Sequence, residues 1–189
     1  MEKRFKTRKL KKKSKIIVIT GAESTGKSTL TERLAKHFGV PFIPEIARDY
    51  VEKLNRKYTY SDVENIAKMQ TEQFRKLVKS DAPYIFADTW LIVTKIWFEF
   101  VYHKTPDWII EEINTTKIDL FLVCDIDLPW IYDPVRENGG ETRIILHHNY
   151  IENITNFGFD YRIVSGFDDQ RFNCALNFLN NYKYDNFRI

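Results

Sequence analysis

Eight consecutive residues have the types and spacing needed to hold phosphate. Gly21-Ala22-Glu23-Ser24-Thr25-Gly26-Lys27-Ser28 fits the pattern G-x-x-x-x-G-K-[ST]. Glycine at 21 and 26 opens backbone conformations that are closed to other residues. The amides of residues 23 to 28 can then turn inward around phosphate oxygens. A helix starting after the loop adds its positive N-terminal end. Lys27 would reach the β- and γ-phosphates, and the Ser28 hydroxyl would hold Mg²⁺. Glu23, Ser24, Thr25 and Thr29 complete the expected nucleotide-binding set.

Further along, Glu45 lies just past an apolar run, with Arg48 one helical turn later. Parallel strands deliver side chains to a ligand crevice at their C-terminal ends. A carboxylate there can accept a hydroxyl proton, and Arg48 can steady phosphate or acceptor oxygens. The same pair also suits an i,i+3 ion pair on a helix surface. Asp88 ends a later apolar run. It is placed to hold Mg²⁺ or, equally, to cap the next helix.

Asp133-Pro134-Val135-Arg136 falls in a polar stretch. A lid carrying an arginine would exclude water and neutralise charge on a transferring phosphoryl group. Arg136 and Arg143 are the candidates for that role, or else they are exposed loop arginines. Trp90, Trp97, Trp130 and Tyr50 can form an aromatic wall for a flat acceptor, or simply pack. His103, His147 and His148 lack metal-ligand partners and are expected on the surface.

Elements must position these groups. Short apolar runs at 16–20, 40–43, 84–87, 119–124 and 161–164 are expected to be strands. Helical spacing is expected at 28–37, 45–54, 61–78, 89–103, 106–116, 141–156 and 167–179, with Ser61-Asp62 capping the third. Strands alternating with helices imply an α/β fold: a mostly parallel five-stranded sheet with helices on both faces. With the loop motif, this is a three-layer P-loop NTPase. Tail 1–15 followed by one domain, 16–189, is the expected organisation.

Composition agrees with one folded domain. The chain has 189 residues, 43% hydrophobic and 29% charged. No apolar run approaches the roughly 20 residues that span a membrane. Cys124 and Cys174 suggest neither a metal cluster nor a disulfide framework, so a reduced cytoplasmic protein is expected. The chain is +3 overall and residues 1–15 carry +8, leaving −5 for the remainder. A tail of that charge suits nucleic acid or plain solvation, and no reading helix accompanies it.

A P-loop specifies nucleotide, not reaction. A guanine-reading Asn-Lys-x-Asp would follow the fourth strand, but that position holds Cys124-Asp125-Ile126-Asp127. A compact ATP-dependent kinase is the remaining expectation.

The phosphate loop, Gly21 to Leu30, resembles that of the NadR-type ribosylnicotinamide kinases. Four other segments fit the same family. They are Pro44-Glu45-Ile46-Ala47-Arg48-Asp49-Tyr50, then Asp88-Thr89-Trp90 with Thr94 and Trp97, then Asp127-Leu128-Pro129-Trp130 with Asp133 and Arg136, and last Gly166 with Gln170-Arg171. The resemblance implies ATP-dependent phosphorylation of nicotinamide riboside to nicotinamide mononucleotide, with Mg²⁺ and a lid as in nucleoside monophosphate kinases. It matches Arg136 to the lid arginine and Asp88 to the acid closing the third strand. It adds Arg171 to the nucleotide-binding set, and Glu45, Arg48, Tyr50, Asp88, Trp90 and Trp97 to the acceptor side. Only the basic tail precedes Ile16, so transcriptional control and dinucleotide synthesis are not carried over. Two rival readings stand beside this one. The first is a kinase for another nucleoside or nucleoside monophosphate. The second is an ATP-binding interaction module.

Overall fold

The computed structural model describes residues 14–134 and 136–185. Five strands alternate with seven helices there. The strands are β1 (Lys15–Thr20), β2 (Phe42–Ile43), β3 (Tyr84–Asp88), β4 (Leu120–Cys124) and β5 (Tyr161–Val164). The helices are α1 (Lys27–Phe38), α2 (Ile46–Glu52), α3 (Tyr60–Leu77), α4 (Leu91–Tyr102), α5 (Asp107–Thr115), α6 (Gly140–Asn156) and α7 (Asp169–Asp185).

The strands form one sheet in the order β2-β3-β1-β4-β5, and every pairing is parallel. The expected five-stranded α/β architecture is therefore present. The central strands β1, β3 and β4 are almost wholly buried, because helices cover both faces and leave no polar side. Their side chains alternate between two cores. Ile16, Val18, Ile85, Ala87, Phe121 and Val123 face a core completed by α3, α4, α5 and α6. Ile17, Ile19, Phe86, Leu120 and Leu122 face the other, closed by Leu30 and Leu34 of α1 and by Ala175 and Leu179 of α7.

Several boundaries differ from expectation for local reasons. β2 shrinks to two residues, because Pro41 and Pro44 flank it and proline donates no ladder bond. That suits its place at the sheet edge. Helix α3 is capped by Thr59 rather than by Ser61-Asp62. The Asp62 carboxylate accepts hydrogen bonds from the Thr59 amide and hydroxyl, each at 2.7 Å. Arg56 and Thr59 hold Asp62 well below the usual carboxylate range. Helix α4 starts at Leu91, not 89, because Thr89 is left-handed (φ 69°) and Trp90 is extended.

His147 is not on the surface. It lies on the buried stripe of α6 with Arg143, Leu146, Tyr150 and Ile154, and its Nε2 is 3.9 Å from Asp125. His103 and His148 are exposed, as expected. The expected tail loses Ser14 and Lys15 to the fold. Lys15 opens β1, and the Ser14 hydroxyl donates to the Ala82 carbonyl at 2.6 Å. The rest of that expectation, residues 1–13, lies outside the described residues, as does Val135.

Candidate active site

The phosphate loop follows directly from β1, the middle strand. Gly21 has φ 142°, and a Cβ there would meet the Cys124 carbonyl oxygen at 2.7 Å. Only glycine lets β1 and β4 approach so closely at that point. Gly26 takes φ 74° and is the N-cap of α1. The loop braces itself from within: the Thr25 hydroxyl donates to the Ala22 carbonyl at 2.7 Å, and Lys27 Nζ donates to the same oxygen at 3.0 Å. Ser28 and Thr29 stand exposed on the first turn of α1.

Asp88 is the last residue of β3 and is paired in register with Ile19 of β1. This pairing brings a residue 69 positions further on to the base of the phosphate loop. Asp88 is 2% exposed, and its Oδ1 has no hydrogen-bond partner. Burial pushes its carboxyl up to about 6, with the Lys27 charge and the Ser28 hydroxyl pulling the other way and Glu45 pushing up again. Lys27, Ser28 and Glu45 are thus among the groups that act on the Asp88 carboxylate. Asp88 does not cap α4, whose N-cap is Trp90.

Behind Asp88 lies a network that the sequence reading missed. Thr94 donates to Gln70 Oε1 at 2.8 Å, and Gln70 Nε2 donates to the Thr89 hydroxyl at 3.3 Å. All three residues are buried. They hold the left-handed Thr89 where the chain turns away from Asp88. No sequence pattern announces such a triad, since its members come from α3, the β3–α4 turn and α4.

Glu45 occupies the N-cap of α2 without a capping hydrogen bond, so its carboxylate is not used by the helix. Arg48 does not pair with Glu45 as the i,i+3 alternative required. It pairs instead with Glu52 at 2.9 Å and Asp133 at 3.1 Å. Tyr50 donates its hydroxyl to Asp62 at 3.1 Å.

The aromatic wall does not form as expected. Trp90 is 2% exposed and packs on Phe74 with ring centroids 4.2 Å apart. Because Trp90 precedes α4, it does not share a helical face with Trp97. Trp97 is half-buried, edge-on to Tyr58. Trp130 packs against Gly139.

The segment 125–139 carries Arg136, whose Nη1 donates to the Ile131 carbonyl at 2.9 Å. Arg143, on α6, has different work from that expected. Its Nε and Nη2 donate to the carbonyls of Glu23 and Ser24, at 2.9 and 3.2 Å, so it supports the phosphate loop from outside. Arg171 is 4% exposed. It donates to the carbonyls of Gly166 and Val164 at 2.9 and 3.0 Å and pairs with Asp127. Its guanidinium is committed to the protein and shapes the β5–α7 turn. Asp127 thus emerges as a structural partner that had been quoted but given no role.

Among the described residues, no cluster of three or more His, Cys, Asp or Glu side chains could hold a metal. No helix there is long and apolar enough to cross a membrane.

A family profile described as an AAA domain matches residues 16–171, from β1 to the first turn of α7. The chain belongs to the AAA domain family. Within it the chain is NadR-like. It is 28% identical over 127 residues to the trifunctional NAD biosynthesis/regulator protein NadR of Salmonella typhimurium, covering 65% of this chain and 31% of that protein. It superposes on a NadR protein crystallised in complex with NR with a TM-score of 0.79 at 26% identity, covering 91% of this chain and 52% of that one. A deoxyadenosine kinase from M. mycoides shares the fold, with a TM-score of 0.66 at 18% identity, covering 88% of this chain and 99% of the other. The AAA-family chain therefore spans about a third of its curated relative and half of the solved NadR chain. These likenesses and the phosphate loop make it a NadR-like P-loop protein, in a fold that it shares with a nucleoside kinase.

Proposed function

We propose that the chain transfers the terminal phosphoryl group of ATP to the 5′-hydroxyl of nicotinamide riboside, yielding nicotinamide mononucleotide and ADP. The observation that carries this reading is the buried Asp88 carboxylate, with Oδ1 left without a partner, beside Lys27 and Ser28, in a fold shared with a NadR protein bound to NR.

The phosphates would lie along the amides of residues 23 to 28, with Lys27 against the β- and γ-oxygens. The residues fit Mg²⁺, a hard cation that prefers oxygen donors. Asp88 Oδ1 is a buried acceptor lacking a donor, and Ser28 supplies a hydroxyl next to it. When bound there, Mg²⁺ would offset negative charge on the phosphate oxygens.

Glu45 has a carboxylate that neither α2 nor Arg48 engages in a hydrogen bond. It would orient the 5′-hydroxyl and accept its proton as the oxygen–phosphorus bond forms and the bond to ADP breaks. The transition state is loose, so orientation and charge neutralisation outweigh the base. Asp88 can exchange roles with Glu45. Arg136 would approach the transferring group from segment 125–139.

An acceptor screen with ADP formation as readout tests the proposal. Nicotinamide riboside should stimulate turnover above every deoxynucleoside and nucleoside monophosphate. Faster turnover on one of those would reassign the acceptor. ATP binding without stimulation by any acceptor would favour an interaction module.

A further inference from the structure

Two phosphate-loop residues devote their side chains to the segment following β4. The Glu23 carboxylate accepts hydrogen bonds from the Asn138 amide and from Asn138 Nδ2, each at 3.0 Å, and from the Glu137 amide at 3.3 Å. The Ser24 hydroxyl accepts one from the Ile131 amide at 3.1 Å. Ser24 is left-handed, with φ 57°, a conformation that a non-glycine residue keeps only where neighbours hold it. Arg143 supplies part of that hold through the Glu23 and Ser24 carbonyls.

A phosphate cradle built from amides has no need of an acid at position 23. An acid there would repel a triphosphate if it faced the cradle. Hydrogen bonds from Glu137 and Asn138 instead hold the Glu23 carboxylate on the segment after β4. Those two residues lie one and two positions past Arg136, and Ile131, five residues before Arg136, is held by Ser24 and accepts from the Arg136 guanidinium. The stretch bearing Arg136 is thus tied to the phosphate loop at both ends.

We propose that Glu23 is a positioning residue that couples the phosphate loop to Arg136, by docking Glu137 and Asn138 on the loop through its carboxylate. This rests on the kinase reading above, in which Arg136 approaches the transferring phosphoryl group. Its effect on transfer passes through that segment and not through direct contact with nucleotide.

The test uses the full chain with Glu23→Ala, Asn138→Ala and the double change. Amide hydrogen exchange is followed across residues 131–143, alongside ATP affinity, phosphoryl transfer and acceptor-independent ATP hydrolysis. Glu23→Ala should speed exchange at Glu137 and Asn138 and lower transfer, each by about tenfold, the scale of a lost charge-assisted hydrogen bond. ATP affinity should stay within about twofold, and a larger share of ATP should be lost to water. Asn138→Ala should give a weaker form of the same changes and add nothing on top of Glu23→Ala. It also leaves the phosphate loop intact should Glu23→Ala fail to fold. Unchanged exchange, or effects that multiply in the double variant, overturns the coupling. Faster exchange with undiminished transfer overturns the positioning role. If the unaltered chain phosphorylates no nucleoside, the acceptor reading falls, and the exchange data still decide the coupling.

Discussion

Arg48 of α2 pairs with Asp133 across 85 residues of sequence, with Nη1 3.1 Å from Oδ2. The pair joins the helix that follows β2 to the segment that follows β4, and so ties the proposed acceptor side to the stretch bearing Arg136. Both side chains are partly screened by solvent, at 32% and 24% exposure. A double-mutant cycle with Arg48→Ala and Asp133→Ala, read by urea denaturation, should give a coupling of about 0.5–1 kcal/mol. Both single variants should raise the acceptor KM more than the ATP KM.

Lys27→Ala removes the ammonium that braces the loop on Ala22 and faces Asp88. Phosphoryl transfer should fall by about 10²-fold or more, the scale of losing a preorganised charge at a transferring phosphate. Calorimetric titration with ATP should show weakened binding. Unaltered affinity and turnover would remove the loop from the site.

Asp88 predicts a pH dependence of stability. Its carboxyl is harder to ionise in the folded chain, with a value of about 6 against the ordinary aspartate value of 3.8. Between about pH 4 and 6 the folded state therefore holds more proton than the unfolded state. Stability must fall as pH rises through that window, by roughly 2–3 kcal/mol from this residue. Asp88→Asn should remove that slope. It should unfold at higher urea than the parent at pH 7 and show almost no transfer. Parallel stability curves for the two proteins from pH 4 to 7 would contradict the assignment.

Trp90 tests core against acceptor wall. Trp90→Ala should cost about 3–5 kcal/mol, as for large aromatic truncations. Trp90→Phe should cost less, since it also deletes an indole N–H that is buried without a partner. The acceptor KM of Trp90→Phe should match the parent in steady-state assays. A rise in KM with unchanged stability would restore the wall.

Much of this protein is encoded locally. The loop from Gly21 to Ser28 carries its glycines, lysine and hydroxyl within one contiguous stretch, so its conformation and its ligand class follow from chain order alone. Strand and helix periodicities are equally local, and all twelve elements of the described fold were expected near their observed places. The boundaries that moved did so where a single residue's backbone intervened, as with left-handed Thr89 ahead of α4 and the prolines flanking Phe42–Ile43.

The tertiary structure decided which side chains are spoken for. Sequence placed Arg143 and Arg171 among nucleotide ligands, but their donors meet backbone carbonyls and Asp127. It placed His147 on the surface and left Trp90 between pocket wall and core, and packing buried both. Partners such as Glu23 with Asn138, or Gln70 with Thr89 and Thr94, lie up to 115 residues apart. Hydrogen-bond partnership depends on distances of about 3 Å between atoms, and those are set only when the sheet order and the two helical layers bring distant segments together.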